Sequence, residues 1–230
     1  MDIIFTEKDT IFPLPLYHGT DKRLTRLGTD NVRFLHAQCL RMAPVLMDIF
    51  KQQLSLNDFD DVFAFNKVMY SFKEEDSIRV SNMYGRSIHP LNQMIEGNDM
   101  YQYDSFCLTS WIEHAIQYTR PASCGGELCD AIYYLVSGIQ DMWPGIFSPD
   151  KEMQKALNIM SELANNEKEP IVYEIKNART DYLLLENGNP ISGLFGKNLK
   201  YGRYTFRYIG PIDFESFDIA WEGSGLSKSK

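Results

Sequence analysis

A histidine, a glycine and a hydroxyl stand together near the start of the chain, in Tyr17-His18-Gly19-Thr20. The apolar run Leu14-Pro15-Leu16 precedes them and predicts a buried strand that ends at this polar group. Glycine has no Cβ, so at a strand end it lets the backbone turn or lets a ligand approach closely. The pattern predicts a ligand site here. The same residues also fit a core strand whose end carries one polar histidine.

A second stretch with this character runs from Tyr101 to Tyr118. Residues 101–109 predict a strand. Ser110 is placed to cap a following helix, with Glu113 three residues later as in a capping box. Ser110 could instead face a ligand. The helix is predicted to continue through Ala115 to Tyr118.

These two motifs, followed by a β-rich carboxyl-terminal part, resemble the ADP-ribosyltransferase family. The likeness is to its diphtheria-toxin and poly(ADP-ribose) polymerase branch, and it is specific at the two motifs and architectural elsewhere. The resemblance implies an α+β fold with a twisted, mainly antiparallel β core and a helical amino-terminal and middle portion. It also implies NAD as substrate, release of nicotinamide, and transfer of ADP-ribose to a protein or nucleic acid.

The resemblance implies a role for several side chains. His18 would bind the adenosine ribose, the Gly19 backbone would hold the nicotinamide carboxamide, and Thr20 would support both. Tyr118 would stack on the nicotinamide ring, or else would pack in the core with its hydroxyl bonded. The residues implied in NAD binding are Tyr17, His18, Gly19, Thr20, Phe106, Cys107, Thr109, Ser110 and Tyr118.

Two positions depart from the family pattern. Cys107 stands where the first of two tyrosines is expected, and Arg203 stands where a late glutamate is expected. An arginine would oppose the positive charge that develops on the ribose. Glu186 and Glu215 are the nearest acids in the sequence, although each can equally be a solvated surface group. The implied catalytic set is His18, Tyr118, Arg203 and Glu186.

The late arginine leaves two alternatives open. RNA 2′-phosphotransferases also use NAD and begin with a similar His-Gly-Thr, but their second histidine motif is not found in this sequence. A binding module that keeps the fold without catalysis is the other alternative. Family analogy suggests a toxin or anti-phage effector, with an antitoxin or immunity protein as a further partner.

Composition sets the outer limits of these predictions. The 230 residues carry a net charge of −8, which argues against unspecific binding to nucleic acid or anionic lipid. We expect a single domain over residues 1–222 with helical insertions, and a disordered tail over 223–230.

No metal site is expected, because Cys124 and Cys129 lack partners at ligand spacing. The four cysteines suggest no disulfide framework, and with no secretory or membrane segment the predicted location is the cytoplasm.

A nucleic-acid acceptor is a further hypothesis, weighed against a scattered set of solvated charges. It rests on arginines and tyrosines that could gather on one face: Arg33, Arg41, Arg79, Arg86, Arg203, Arg207, Tyr204 and Tyr208.

The remaining elements follow from periodicity and turn residues. Helices are predicted over 31–53, 58–72, 127–141 and 150–164, with Pro44 kinking or splitting the first. A loop is predicted over 74–98, and a glycine-containing loop over 186–196 that could cover a site. Strands are predicted over 170–175, 182–185, 203–209 and 214–221.

Overall fold

The computed structural model describes residues 2–59, 61–95, 106–119, 124 and 126–223. The chain divides into two compact units. The first consists of residues 1–29, 99–121 and 167–230, and the second of residues 30–98 and 122–166. The first unit holds a six-stranded antiparallel sheet and the second is helical, so the prediction of a mixed α+β protein is confirmed.

The sheet of the first unit has the strand order β4-β5-β2-β1-β3-β6. Its central strand β1 pairs with β3 over all six residues. The part of β2 predicted over 101–105 and the predicted tail over 224–230 lie outside the described residues. The strands are β1 (Leu16–Asp21), β2 (Phe106–Thr109), β3 (Pro170–Ile175), β4 (Leu183–Leu185), β5 (Thr205–Tyr208) and β6 (Asp218–Glu222).

One face of this sheet carries the core of the unit. Directly opposed residues on antiparallel strands share a face, and the pair Leu108 and Phe206 is fully buried there. Phe12 packs edge-to-face on Phe206, with ring centroids 4.8 Å apart. Large apolar side chains from the amino-terminal segment thus seal the sheet on this side.

The glycine-containing stretch 186–196 is packed rather than loose. The Gly188 N–H donates to the Leu185 carbonyl at 2.8 Å, and the Leu185 N–H donates to the Asn189 carbonyl at 2.8 Å. Ile191 and Leu194 then lie buried in the core. The predicted covering loop is therefore anchored at both its turn and its apolar residues.

Two helices belong to the first unit, α1 (Lys22–Leu27) and α6 (Ile112–Tyr118). The predicted cap of α6 is wrong: its N-cap is Trp111, and no side-chain bond caps it. The Ser110 Oγ instead accepts the Tyr204 N–H at 2.8 Å, and the Ser110 N–H donates to the Tyr204 carbonyl. The hydroxyl extends the β2–β5 ladder because a neighbouring strand supplies a donor that the sequence alone does not reveal.

The second unit is built around helices with apolar faces at three- and four-residue spacing. The helix predicted over 31–53 is confirmed and runs through Pro44 without a break. No described helix is long and apolar enough to cross a membrane. The helices are α2 (Thr29–Gln53), α3 (Val62–Met69), α4 (Glu74–Met83), α5 (His89–Ile95), α7 (Glu127–Met142) and α8 (Lys151–Asn165).

The loop predicted over 74–98 is wrong in its described part. Helix α4 continues through a π-helical turn, Tyr84–Ile88, into α5. Three acids, Glu74, Glu75 and Asp76, occupy the first turn of α4, where the helix dipole favours negative charge. The π-helical turn precedes Pro90, which cannot donate a regular i→i−4 hydrogen bond inside a helix. The proline that was expected to break a helix is therefore accommodated within one.

Candidate functional site

The central strands β1 and β2 are joined at one point and then diverge. Among the described residues their only registered pair is Tyr17 and Thr109. Beyond it, β1 continues along β3 and β2 continues along β5. This leaves an opening between residues 18–21 and residues 106–108, which we call the split.

The backbone of Gly19 faces the split. The Lys22 N–H donates to the Glu169 carbonyl at 2.8 Å, so the even-numbered residues of β1 hydrogen-bond towards β3. Because peptide groups alternate in direction along a strand, those of Gly19 point the other way, towards β2. A donor and an acceptor of the main chain are thus directed into the opening.

His18 bridges the two diverging strands. Its Nδ1 lies 2.8 Å from the Cys107 carbonyl oxygen; since a carbonyl only accepts, Nδ1 carries the hydrogen and Nε2 of the neutral ring is an acceptor. Burial lowers the pKa of His18 to about 4, although the bond to Cys107 acts in the opposite direction. The Phe106 ring lies 3.6 Å from the imidazole, centroid to centroid. The ring is therefore neutral and fixed at pH 7.

Helix α6 packs directly on β1 at Gly19. A Cβ at this position would lie 1.8 Å from the Ala115 carbonyl oxygen and 3.2 Å from Thr119 Cγ2. Glycine is thus required at position 19 for close helix–strand packing. The sequence suggested only a turn or the approach of a ligand as the reason for this glycine. On the same helix, Tyr118 is 51% exposed, so the alternative of a core tyrosine is wrong.

The split brings together most of the residues implied in NAD binding. Besides His18 and Gly19, these include the buried Thr20, Phe106, whose ring contacts His18 at a tilt of 32°, and the exposed Cys107. Tyr17 lies at the joined pair, where burial and the nearby Glu174 raise the pKa of its hydroxyl. Thr109 is the partner of Tyr17 in that pair, and Ser110, which follows it, bonds to Tyr204 rather than facing the split.

Two residues of the implied catalytic set lie elsewhere. Glu186 is exposed in the turn after β4, three strands from β1, which at the usual strand spacing is roughly 14 Å. The Arg203 guanidinium lies 4.7 Å from the Trp111 ring centroid, level with the end of β2 opposite the split. The side chain of Glu215, the other acid considered from the sequence, lies outside the described part of the chain.

The arginine and tyrosine set of the nucleic-acid hypothesis does not form a solvent face as predicted. Arg207 and Tyr208 are buried in the first unit. In the second unit, Arg41 is bound to Asp150 at 2.6 Å.

An ion pair at the end of β1 was not predicted from the sequence. Asp21 accepts from the Arg23 backbone N–H and pairs with the Arg23 guanidinium at 2.7 Å. The two side chains are only 4% and 6% exposed. Buried charges are kept when paired, and the Asp-x-Arg spacing directly after Thr20 is the signal that could have indicated this pair.

The described residues contain no group of three His, Cys, Asp or Glu side chains that could hold a metal ion. Comparison of the chain with protein-family models, with curated proteins and with solved structures gave no match.

Proposed function

We propose that the chain is an NAD-dependent ADP-ribosyltransferase that binds NAD at the split and transfers ADP-ribose to a macromolecule, releasing nicotinamide. The observation that carries the proposal is the Gly19 backbone directed into the split beside a neutral His18. On the same grounds we assign the first unit to the ADP-ribosyltransferase type of fold.

The polar groups at the split match those of a nicotinamide nucleoside. A carboxamide has one acceptor and two donors, which complement the N–H and C=O of Gly19. The Nε2 acceptor of His18 suits a hydroxyl of the adenosine ribose in NAD. Because His18 is neutral, it does not repel the positive charge that builds on the ribose in the transition state. The exposed ring of Tyr118 is available to stack on nicotinamide.

In the proposed reaction, the bond between the ribose C1′ and the nicotinamide nitrogen breaks, and nicotinamide leaves with the electron pair. A nucleophilic atom of the acceptor bonds to C1′ and loses its proton. Glu186 lies three strands from β1, roughly 14 Å at the usual strand spacing, so we assign it no part in this step. We place the reaction in the cytoplasm, and by analogy we propose a toxin or anti-phage effector restrained by an antitoxin.

Incubation with NAD labelled separately in its nicotinamide and adenylate parts tests the proposal. We expect free nicotinamide and adenylate label on a macromolecule, and about a 100-fold loss of both with His18→Ala, as when a transition-state hydrogen bond is removed. His89→Ala, at an exposed histidine of the second unit, is the matched control. NAD binding without nicotinamide release would indicate a binding module, and absence of NAD binding would refute the assignment of the site.

A further inference from the structure

A ladder of flat side chains runs along α6. The Trp111 and His114 rings are stacked, with centroids 4.2 Å apart and planes 18° apart. The His114 and Tyr118 centroids are 4.7 Å apart. The Arg203 guanidinium lies over Trp111, 4.7 Å from its ring centroid. The buried Nδ1 of His114 has no hydrogen-bond partner among the described residues. The contacts of this ring are therefore mainly with the neighbouring aromatic rings.

A second cation and ring adjoin the ladder in the sequence. Tyr201 is 79% exposed, and the Lys200 Nζ lies 5.1 Å from its ring centroid. Both belong to a short 3₁₀ turn just before Arg203. Five residues form what we call the cation–aromatic surface: Trp111, His114, Lys200, Tyr201 and Arg203.

The part of this surface that holds Lys200, Tyr201 and Arg203 lies in a basic stretch of the sequence. The protein has a net charge of −8, yet residues 187–212 contain two lysines, two arginines and no acid. Other cations of the first unit, such as Lys22 and Arg26, are bound to carboxylates. Among the described residues no carboxylate pairs with Lys200 or Arg203, which lie over aromatic rings instead. Their charges are available to an anionic partner.

We propose that the cation–aromatic surface binds single-stranded nucleic acid, and that this strand is the acceptor of ADP-ribose. Bases stack on exposed aromatic rings whatever their sequence, while lysine and arginine neutralise the phosphates. A duplex does not offer its base faces in this way. The ladder follows α6 towards Ala115, which contacts Gly19 at the split, so a bound strand would extend towards the NAD site. The acceptor role, unlike the binding, rests on the proposed function.

Fluorescence anisotropy with an oligo-dT and an oligo-U of about 12 nucleotides, without NAD, tests the binding. We expect Tyr201→Ala to weaken binding about 5-fold or more, the usual effect of losing one base stack. Tyr70→Ala is the matched control, because Tyr70 is 90% exposed in the second unit. A duplex of the same length should bind more weakly than either single strand.

Salt dependence tests the role of the cations. If about three phosphates are neutralised, log K should fall with log salt at a slope near −2, and Lys200→Gln should reduce that slope by about 0.7. Lys67→Gln, at an exposed lysine of the second unit, should leave it unchanged. Equal binding of duplex and single strand, or equal effects of Tyr201→Ala and Tyr70→Ala, would overturn the binding proposal.

The acceptor role is tested by adding labelled NAD to the same oligonucleotides. We expect label on the single strand, reduced by Tyr201→Ala while nicotinamide release without acceptor stays unchanged. Label on protein alone would refute the nucleic-acid acceptor. If strands bind but no nicotinamide is released under any condition, the proposed function fails and the binding surface stands.

Discussion

At the scale of single residues, the protonation of His18 decides what the split can bind. A neutral imidazole with its hydrogen on Nδ1 presents an acceptor at Nε2, whereas an imidazolium would present a donor. The lowered pKa of His18 keeps the acceptor form over the physiological range. The hydrogen bond to Cys107 fixes which nitrogen plays this part.

The His18 pKa predicts a pH dependence of stability. Between the ordinary value of 6.5 and about 4, the unfolded chain binds a proton at this ring and the folded chain does not. The free energy of unfolding should therefore fall as the pH drops through this window, by at most about 3 kcal/mol, with no further effect of this group below it.

Urea unfolding at several pH values, compared between wild type and His18→Gln, measures this effect. The stability difference between the two proteins should shift in favour of the variant as the pH falls from 7 to 4. A pH-independent difference would show that His18 is not protected from protonation. His89→Gln, at an exposed site, serves as the control.

Tyr118 gives a second prediction at this scale. If its exposed ring stacks on nicotinamide, Tyr118→Phe should keep most of the NAD affinity, since stacking needs the ring and not the hydroxyl. Tyr118→Ala should lose about 1 kcal/mol of binding free energy. Calorimetric titration with NAD measures both. Unchanged affinity in the alanine variant would place nicotinamide elsewhere.

At the scale of elements, the approach of α6 to β1 holds one side of the split. The Ala115 carbonyl occupies the space that a side chain at position 19 would need. A change at Gly19 therefore moves a helix, and Gly19→Val should both block nicotinamide and displace α6. Loss of NAD binding in that variant is informative only when stability is measured alongside.

Gly19→Ala should thus destabilise the protein by about 1–3 kcal/mol, the usual cost of overpacking. Gly85→Ala is the control: it lies in the π-helical turn with no atom within 4 Å of the added Cβ, so it should be neutral or slightly stabilising. Urea unfolding of the two variants gives the comparison. Equal stability would mean that α6 does not pack closely on Gly19.

Substitution of Ser110 tests whether its hydroxyl bonds at the end of β2 or caps the start of α6. Ser110→Ala should cost about 1 kcal/mol, because the Tyr204 N–H loses its acceptor. Glu113→Ala should change stability by less than about 0.5 kcal/mol, because no capping box forms. Comparable losses in both variants, measured by thermal unfolding, would support the capping box instead.

These elements also show what the sequence could predict. Helices such as α7 were predictable because an apolar face repeats along a contiguous segment, and His18 and Gly19 stood out because their types suit a ligand. The split was not predictable, since the divergence of β1 from β2 depends on pairings with β3 and β5 more than 90 residues further along the chain. The distance of Glu186 from His18 follows from strand order, which periodicity does not reveal.

At the scale of the whole molecule, the cysteines distinguish the two compact units. Cys107 is exposed beside the split in the first unit. Cys39, Cys124 and Cys129 are buried in the second unit, with the Cys39 and Cys129 sulfurs 3.7 Å apart. Hydrogen bonding to Cys129 and burial both raise the pKa of the Cys39 thiol, which makes its thiolate scarce.

A thiol-specific reagent should therefore modify one of the four cysteines quickly in the native protein and all four in denaturant. The fast site should be Cys107, and the fast reaction should therefore be absent from the Cys107→Ser variant. Because Cys107 borders the split, alkylation should block NAD binding, and saturating NAD should slow the alkylation. If Cys39 or Cys129 reacts as fast as Cys107, the helical unit opens on that timescale. If alkylated Cys107 leaves NAD affinity unchanged, the split is not where NAD binds.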